Sequence, residues 1–316
     1  MRAIAIDEFG GIDRLHEADV PEPLVGPDTV RIHVRAAGVN PVDAKLCEGR
    51  LADRFPHFFP LVPGWDAAGV VESVGPAVRD FAPGDEVYGY FRKDYVRDGT
   101  YAELATMRDT ALARKPVTLS FEEAGAVPLA GLTALQVIRD GLALEAGERV
   151  LILGASGGVG SFAVQIADAG GAHVIAVASA ANHDYLRELG ADEVIDYRSQ
   201  DVVEAVRAAH PDGIEAVADI VGGDLQERSL EVLRPGKGRL TSIIQPPDRD
   251  ASAARGIDAR YVFVRPDGPG LRTLATMAEA GALRVQLADV VPLAETARAF
   301  EQIATGHTRG KIVLRV

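Results

Sequence analysis

The sequence predicts an α/β protein of two domains, a barrel-like domain of antiparallel strands followed by a doubly wound parallel sheet. Two observations support this prediction. Residues 1–115 hold short β-type runs separated by Gly and Pro turn signals. From Ser120 onward, strand-like and helix-like segments alternate, which is typical of a parallel sheet covered by helices. With 316 residues, the chain is long enough to give each domain its own core.

The barrel-like domain is predicted from apolar runs of β-type composition. Turn signals such as Gly26-Pro27-Asp28 and Ala82-Pro83-Gly84-Asp85 stand between these runs. The predicted strands are Thr29–Ala36, Ala68–Val74, Glu86–Tyr90 and Thr100–Thr106.

The parallel sheet is predicted from the alternation that follows. Ser120 is suited to cap a helix, because Glu122 and Glu123 lie in the first turn after it. A second helix is predicted over Gly131–Asp140. Further strands are predicted over Val150–Leu153, Val174–Ala178, Glu193–Ile195, Ala216–Asp219, Arg239–Ile244, Tyr261–Arg265 and Lys311–Val316. Further helices are predicted over Ser161–Ala169, Asp184–Leu189, Val202–Ala209, Leu225–Leu233, Leu271–Ala280 and Ala294–Thr305.

A glycine cluster joins the strand Val150–Leu153 to the helix that follows it. Glycines let the backbone turn tightly and approach a pyrophosphate, and the next helix presents free N–H groups and its positive dipole end. Strand, glycines and helix in this order favour dinucleotide binding over a purely structural turn. The predicted cofactor contacts in the cluster are Ala155, Ser156, Gly157, Gly158, Val159 and Gly160.

The end of the next strand, Val174–Ala178, predicts NADP rather than NAD as the cofactor. An NAD site usually has an acidic residue there, which accepts a hydrogen bond from the ribose 2′-hydroxyl. Here Ser179 and Asn182 follow the strand, and no carboxylate occurs before Asp184. Ser and Asn side chains can donate to a 2′-phosphate, which a carboxylate would repel. The alternative is that these residues only cap the next helix.

Composition excludes several classes of protein. The net charge of −13 disfavours nucleic acid or an anionic membrane as the main partner. Cys47 is the single cysteine, so neither an intrachain disulfide nor a cysteine-based zinc site is expected. The first residues lack the apolar core of a signal peptide, and a cytoplasmic location is therefore predicted.

Several segments together identify a family. They are Ala37-Gly38-Val39-Asn40-Pro41-Val42-Asp43, Val62-Pro63-Gly64-Trp65-Asp66-Ala67-Ala68-Gly69, Gly131-Leu132-Thr133-Ala134, the glycine cluster, and Leu189-Gly190-Ala191-Asp192-Glu193-Val194-Ile195-Asp196-Tyr197. With them the chain resembles a zinc-independent medium-chain dehydrogenase/reductase of the quinone oxidoreductase type. The resemblance implies a GroES-like β-barrel substrate domain over residues 1–122, completed by 267–316, and a Rossmann NADP-binding domain over 123–266.

Two departures from the zinc-dependent branch of that family bear on the reaction. Zinc-dependent relatives carry a cysteine where this chain has Asn40, and a histidine where it has Trp65. Without those ligands no tetrahedral catalytic zinc is expected. Reduction of a quinone or of an activated double bond suits such a site better than oxidation of an alcohol, because the substrate carbonyl itself withdraws charge.

The resemblance also implies roles for individual residues. It places the catalytic residues Asn40 and Thr133 near the nicotinamide, although Asn40 could be a turn residue and Thr133 could be satisfied within its helix. Tyr197 resembles a tyrosine near the 2′-phosphate, or is an ordinary strand-end residue. Further implied cofactor contacts are Ile243, Ile244, Gln245, Phe263 and Lys311, with a solvated strand position as the alternative for Lys311. Trp65 and Tyr90 are the predicted substrate-pocket residues, with a core position as the alternative.

These features predict an NADPH-dependent reductase of quinones or α,β-unsaturated carbonyls. One alternative is an enoyl reductase of a specialised biosynthetic pathway. Another is a non-catalytic protein that senses NADPH or binds a partner. The resemblance further implies a homodimer paired through the strand Tyr261–Arg265, with a monomer as the alternative because Pro266 and nearby charges could block that edge.

Overall fold

A computed structural model describes residues Met1–Val316, which divide into two units. Unit 1 contains Met1–Leu132, Arg265–Gly281 and Val285–Val316, and unit 2 contains Thr133–Val264 and Ala282–Arg284. Residues 123–132, predicted to start the nucleotide-binding domain, lie in unit 1 by this division. No helix combines the length and the apolar character that a membrane crossing needs.

The secondary structure comprises seventeen strands and ten α-helices. The strands are β1 (Arg2–Ala5), β2 (His16–Asp19), β3 (Thr29–Val39), β4 (His57–Val62), β5 (Asp66–Val74), β6 (Glu86–Tyr90), β7 (Val96–Asp98), β8 (Leu104–Arg108), β9 (Leu112–Arg114), β10 (Arg149–Leu153), β11 (His173–Ala178), β12 (Glu193–Asp196), β13 (Ala216–Asp219), β14 (Arg239–Ser242), β15 (Asp258–Tyr261), β16 (Leu287–Pro292) and β17 (Lys311–Arg315). The helices are α1 (Pro41–Cys47), α2 (Phe121–Ala126), α3 (Pro128–Leu135), α4 (Gly158–Ala169), α5 (His183–Glu188), α6 (Val202–Ala209), α7 (Gly223–Ser229), α8 (Arg249–Ala254), α9 (Gly268–Glu279) and α10 (Thr296–Ala304).

Unit 1 is built around a seven-stranded sheet. Its order is β16-β17-β3-β5-β6-β9, and β8 also pairs with β3. All these pairs are antiparallel except β16 with β17. Ser120 caps α2 as predicted, because its side chain accepts a hydrogen bond from the backbone N–H of Glu123. The predicted antiparallel domain is therefore confirmed.

Unit 2 is a doubly wound sheet of six parallel strands in the order β12-β11-β10-β13-β14-β15. From β10 to β12 each new strand is added on one side of β10, and from β13 to β15 each is added on the other side. This switch in strand order between β10 and β13 is typical of dinucleotide-binding folds. The central strands are buried on both faces, and Leu151, Ile175 and Val217 are fully inaccessible to solvent. The loops that leave the carboxyl ends of the strands carry the glycine cluster. The predicted Rossmann fold is confirmed.

The outer strand of the unit 2 sheet differs from its prediction. The predicted strand Tyr261–Arg265 is wrong, because β15 pairs with β14 from Asp258 to Tyr261. Its partner β14 ends at Ser242, so residues after Val262 have no neighbouring strand. The length of an edge strand is set by its partner, which the local sequence does not reveal.

Several other element boundaries also differ from the predictions. The strand predicted over Thr100–Thr106 begins at Leu104, because Thr100 and Tyr101 bond to the carbonyls of Gly64 and Pro63 instead. Pro128 begins α3, and a π-helical turn, Gln136–Gly141, continues it in place of the single helix Gly131–Asp140. The helix predicted over Leu225–Leu233 is α7 and ends at Ser229.

Candidate active site

The glycine cluster forms a tight cradle after β10. Gly154 adopts a left-handed φ of +74°, which glycine tolerates best. A Cβ on Gly160 would lie 2.2 Å from the carbonyl oxygen of Gly154, so only glycine lets the start of α4 pack this closely on the loop. No side chain caps α4 at Gly157, and the first N–H groups of a helix lack intrahelical acceptors. The cradle therefore offers backbone donors to an anion, as the fit of a pyrophosphate requires.

A buried acid that sequence reasoning missed organises the neighbouring loops. Asp219 ends β13 and is fully buried. Its carboxylate accepts hydrogen bonds from the backbone N–H groups of Val221 at 3.0 Å and Gly222 at 2.8 Å, and from the hydroxyl of Ser242 at 2.6 Å. Asp219 thereby ties the loops after β13 and β14 together. The sequence pattern that could have identified Asp219 is an acidic residue at the end of a predicted strand, followed closely by two glycines.

The predicted segment Ile243-Ile244-Gln245 follows β14 at the same edge of the sheet. Gln245 is held by Gln226, which donates to its carbonyl oxygen at 3.0 Å and accepts from its side-chain amide at 2.9 Å. Ile244 and Phe263 are among the exposed large apolar side chains. These residues therefore share the loop edge of unit 2 with the glycine cradle, although their contact with a cofactor stays a prediction.

The residues predicted to meet the adenosine phosphate also come together. Ala178 and Asp196 are register partners in the parallel strands β11 and β12, so Ser179 and Tyr197 follow neighbouring strands. The amide of Asn182 donates to the hydroxyl of Ser179 at 3.1 Å. Ser179 and Asn182 occupy the N-cap positions of a short 3₁₀ turn and of α5, but neither side chain makes a capping hydrogen bond, so their contact with a phosphate stays a prediction.

Three further polar groups lie beside them. The guanidinium of Arg198 lies 5.8 Å from the ring centre of Tyr197 and pairs with no carboxylate. The buried Nε2 atom of His183 has no hydrogen-bond partner. The carboxylate of Asp196 accepts from the backbone N–H of Arg198 at 3.0 Å and from the hydroxyl of Ser199, which lowers its pKa. This end of the sheet therefore does carry a charged acid, Asp196. It lies on β12, and its carboxylate is already bonded within the turn that follows that strand.

Unit 1 contains a buried polar network around Asn40. The Asn40 side-chain amide donates to Asp66 at 2.9 Å, and its oxygen accepts from the ammonium of Lys311. Lys311 also donates to the carbonyl of Val39 at 2.9 Å and lies 3.9 Å from the Asp66 carboxylate. Asp43 accepts from the backbone N–H of Asn40 at 2.8 Å. The solvated position considered for Lys311 is thus wrong, because its side chain is only 5% exposed.

Burial dominates the electrostatics of this network. Desolvation raises the pKa of Asp43 to about 7 and that of Asp66 to about 6. It also lowers the pKa of the Lys311 ammonium, against the opposing attraction of Asp66 and Asp43. Lys311 is the counter-charge that most opposes this desolvation at Asp66, whereas at Asp43 the hydrogen bonds from the Asn40 backbone N–H and the Tyr101 hydroxyl oppose it more than Lys311 does.

The two predicted catalytic residues occupy different units. Asn40 is the N-cap residue of α1 in unit 1, and both ends of its amide are engaged in the network, with 2% of the residue exposed. Thr133 is buried in α3 and belongs to unit 2. Their catalytic roles stay predictions. The structure shows that the side-chain amide of Asn40 is held in place by Asp66 and Lys311. It thereby connects the buried network to the start of α1.

Comparison with known proteins identifies the family. The model described as alcohol dehydrogenase GroES-like domain matches residues 26–117, and the one described as zinc-binding dehydrogenase matches residues 189–314. The mitochondrial NAD(P)H oxidoreductase of Homo sapiens is 32% identical over 100% of this chain and 89% of its own. The chloroplastic NADPH-dependent alkenal/one oxidoreductase of Arabidopsis thaliana is 33% identical over 99% of this chain and 79% of its own. The solved Escherichia coli quinone oxidoreductase, complexed with NADPH, has a TM-score of 0.89 and 25% identity, with both chains fully covered.

The chain belongs to the medium-chain dehydrogenase/reductase family and is of the quinone oxidoreductase type. In this member of the family, the predicted substrate-pocket residues Trp65 and Tyr90 are both buried in unit 1, with ring centres 6.0 Å apart in an edge-on arrangement. Phe55 packs edge-on against Trp65 at 5.8 Å. Trp65 and Tyr90 therefore lie in the core of unit 1, as the alternative interpretation expected. Their role in lining a substrate pocket stays a prediction.

Proposed function

We propose that this family member is an NADPH-dependent oxidoreductase that reduces quinones or α,β-unsaturated carbonyl compounds. The observation that carries the proposal is the glycine cradle, where a side chain on Gly160 would collide with the backbone of Gly154. When bound, the nicotinamide cofactor supplies the hydride. The backbone N–H groups at the start of α4 hold the pyrophosphate, and the polar side chains after β11 and β12 hold the adenosine phosphate.

The proposal is tested by following NADPH oxidation with a panel of quinones and enones. Turnover of at least one class is expected, and reduction of an enone should add hydride to the carbon β to its carbonyl. Tight NADPH binding with a silent panel would favour the enoyl reductase of a specialised pathway or the non-catalytic sensor. Absence of NADPH binding would refute all three functions at once.

We further propose that NADPH binds more tightly than NADH, because Ser179 and Tyr197 follow neighbouring strands and the unpaired guanidinium of Arg198 lies beside Tyr197, at the end of the sheet where the phosphate is expected. Arg198→Gln should weaken NADPH binding by roughly tenfold, the effect of losing one charge-assisted hydrogen bond, and leave NADH binding unchanged. Ser179→Asp should reverse the preference by placing a carboxylate there. Titration of nicotinamide fluorescence with both cofactors measures this, and tighter NADH binding by the wild-type protein would contradict it.

We propose that catalysis is independent of zinc, since Asn40 and Trp65 stand where zinc-dependent relatives have ligands. Activity should survive dialysis against a strong chelator without loss. Asn40 presents a neutral amide where those relatives have a thiolate, and this amide is already bonded to Asp66 and Lys311. Activity that disappears with the chelated metal and returns with added Zn²⁺ would show this proposal to be wrong.

We propose a homodimer that pairs through β15, the outer strand of the unit 2 sheet. The charges of this strand are partly neutralised within it, because Arg260 bonds Asp258 through both its Nε and Nη2 atoms. The backbone N–H groups of Asp258 and Val262 bond inward to the carbonyls of Gly238 and Ser242, so by strand alternation those of Ala259 and Tyr261 point outward. An outward row of donors is able to recruit a second strand.

Tyr261→Pro should separate the dimer, because proline removes an outward donor without removing a bond to β14. Tyr261→Ala is the matched control, since it removes the side chain and keeps the N–H. Light scattering across a range of concentrations measures the mass. A wild-type mass that stays monomeric at every concentration rules the dimer out.

The cytoplasmic location stays a prediction, because the names of the two relatives above place them in mitochondria and chloroplasts.

A further inference from the structure

A cluster of two imidazoles and a carboxylate lies at the edge of the unit 2 sheet opposite the glycine cradle. His173 and Glu193 are the first residues of the neighbouring parallel strands β11 and β12, and His210 directly follows α6. Their ligand atoms all lie within 4.8 Å of one another. The Oε1 atom of Glu193 is 2.6 Å from Nε2 of His173 and 3.0 Å from Nε2 of His210. Three atoms that bind metals therefore converge on one point.

We propose that His173, Glu193 and His210 form a binding site for one divalent transition-metal ion of the zinc class. Two imidazole nitrogens and one carboxylate oxygen are a ligand set that zinc accepts, with the fourth position left to water. Imidazole nitrogens favour zinc, copper, nickel and related ions over magnesium and calcium, which prefer oxygen ligands. The site lies at the amino ends of the strands, away from the loops assigned to the cofactor.

The surroundings of the cluster favour a cation. Nδ1 of His173 lies 3.6 Å from the carboxylate of Asp192, which is the kind of partner that orients a metal-bound histidine from behind. Glu215 and Asp212 add negative charge next to Arg149. The guanidiniums of Arg149 and Arg234 are both paired with Glu215, at 3.1 Å and 2.5 Å. The carboxylates thus outnumber the guanidiniums around the site.

The hydrogen bonds also define what changes when a metal ion binds. Nη1 of Arg149 lies 3.3 Å from Nδ1 of His210 and can only donate, so Nδ1 accepts and Nε2 carries the proton that faces Glu193. Metal binding at Nε2 moves that proton to Nδ1 and ends the contact with Arg149. Arg149 stays anchored through the two bonds of its Nε and Nη2 atoms to Glu215. The exchange therefore replaces the hydrogen bonds of both imidazoles to Glu193 with bonds to the ion, and it requires Nη1 of Arg149 to turn away from the new Nδ1–H of His210.

Calorimetric titration of the chelator-treated full chain with Zn²⁺ tests the site. One ion should bind per chain, and Glu193→Gln and His210→Gln should each weaken binding by roughly tenfold or more, as disruption of metal-binding shells generally does. His307→Gln is the matched control, because it removes an exposed histidine outside the cluster. Cys47 does not compete, since burial raises the pKa of its thiol to about 12. An NADPH titration of each variant checks that unit 2 is folded.

A second measurement needs no variant. One equivalent of paramagnetic Co²⁺ should shift the ring-proton NMR signals of His173 and His210 in the wild-type chain and leave those of His307 in place. Zn²⁺ affinity that is equal in the wild type and both cluster variants would overturn the proposal. So would unshifted signals of His173 and His210, which would mean that the cluster is a hydrogen-bonded group only.

Discussion

Lys311→Met is expected to lower the free energy of unfolding of unit 1 by about 3–5 kcal/mol at pH 8, the usual cost of removing one partner from a buried ion pair. Lys311 is the cation of the buried network, and its loss leaves Asp43 and Asp66 as buried carboxylates without a counter-charge. Chemical denaturation followed by the fluorescence of Trp65 measures the effect. Trp65 is the single tryptophan and is buried in unit 1, so its emission reports on that unit.

The effect of Lys311→Met should be smaller at pH 5. The folded-state pKa values of Asp66 and Asp43 are raised, to about 6 and about 7, so native protein binds more protons than unfolded protein below those values. The stability contributed by these protons is full below the ordinary pKa of an aspartate and is lost as the pH rises through 6 to 7. The variant is therefore least stable, relative to wild type, where both carboxylates are charged.

Two further variants test whether the loss of stability in Lys311→Met comes from the buried charge. Lys45→Met is the matched control, because Lys45 is exposed on α1 in the same unit, and it should leave stability within about 0.5 kcal/mol of wild type. Adding Asp66→Asn to Lys311→Met should recover part of the loss, since the two side chains share one network. Equal destabilisation by Lys45→Met and Lys311→Met would mean that the buried charge is not the cause.

Gly160→Ala should weaken NADPH binding by about 10–100-fold, because overpacking typically costs 1–3 kcal/mol and here it displaces the loop that holds the pyrophosphate. The new Cβ would lie 2.2 Å from the oxygen of Gly154 and 2.6 Å from the Cα of Ala155, and both are backbone atoms that cannot rotate away. Thermal unfolding should also begin at a lower temperature. Fluorescence titration with NADPH and a melting curve measure the two effects.

Gly157→Ala is the matched control for the cradle. Gly157 has a φ of −77°, and a Cβ there would meet only the oxygen of Gly154 at 3.6 Å, an ordinary van der Waals distance. Its melting curve should match that of the wild type. If Gly160→Ala also melts like the wild type and keeps its NADPH affinity, the cradle does not determine binding.

Several features of this chain were predictable because they depend on neighbours in the sequence. The strands Glu86–Tyr90 and Ala216–Asp219 and the helix Val202–Ala209 have the bounds predicted for them. Each is a run of apolar residues with a regular period, ended by turn or capping residues. The glycine cluster after β10 was equally local, since strand, glycines and helix are contiguous there.

Other features depend on contacts between distant residues. The predicted strand Tyr261–Arg265 failed because β14, which ends at Ser242, determines where β15 stops pairing. The solvated position considered for Lys311 was wrong, because its side chain is buried and bonds to Asn40, which lies 271 positions earlier in the chain. No local pattern contains that partner.

The sequence by itself determined the two-domain class, the alternation of strands and helices in the second domain, the glycine cradle and the family, because these follow from short-range periodicity and contiguous motifs. Only the tertiary structure decided which polar groups meet. Parallel pairing of β11 with β12 joins His173 to Glu193 and brings Ser179 beside Tyr197. Packing of β17 against β3 buries Lys311 beside Asn40. Burial and hydrogen-bond partners are properties of the folded chain, and they set the charge and the freedom of each side chain.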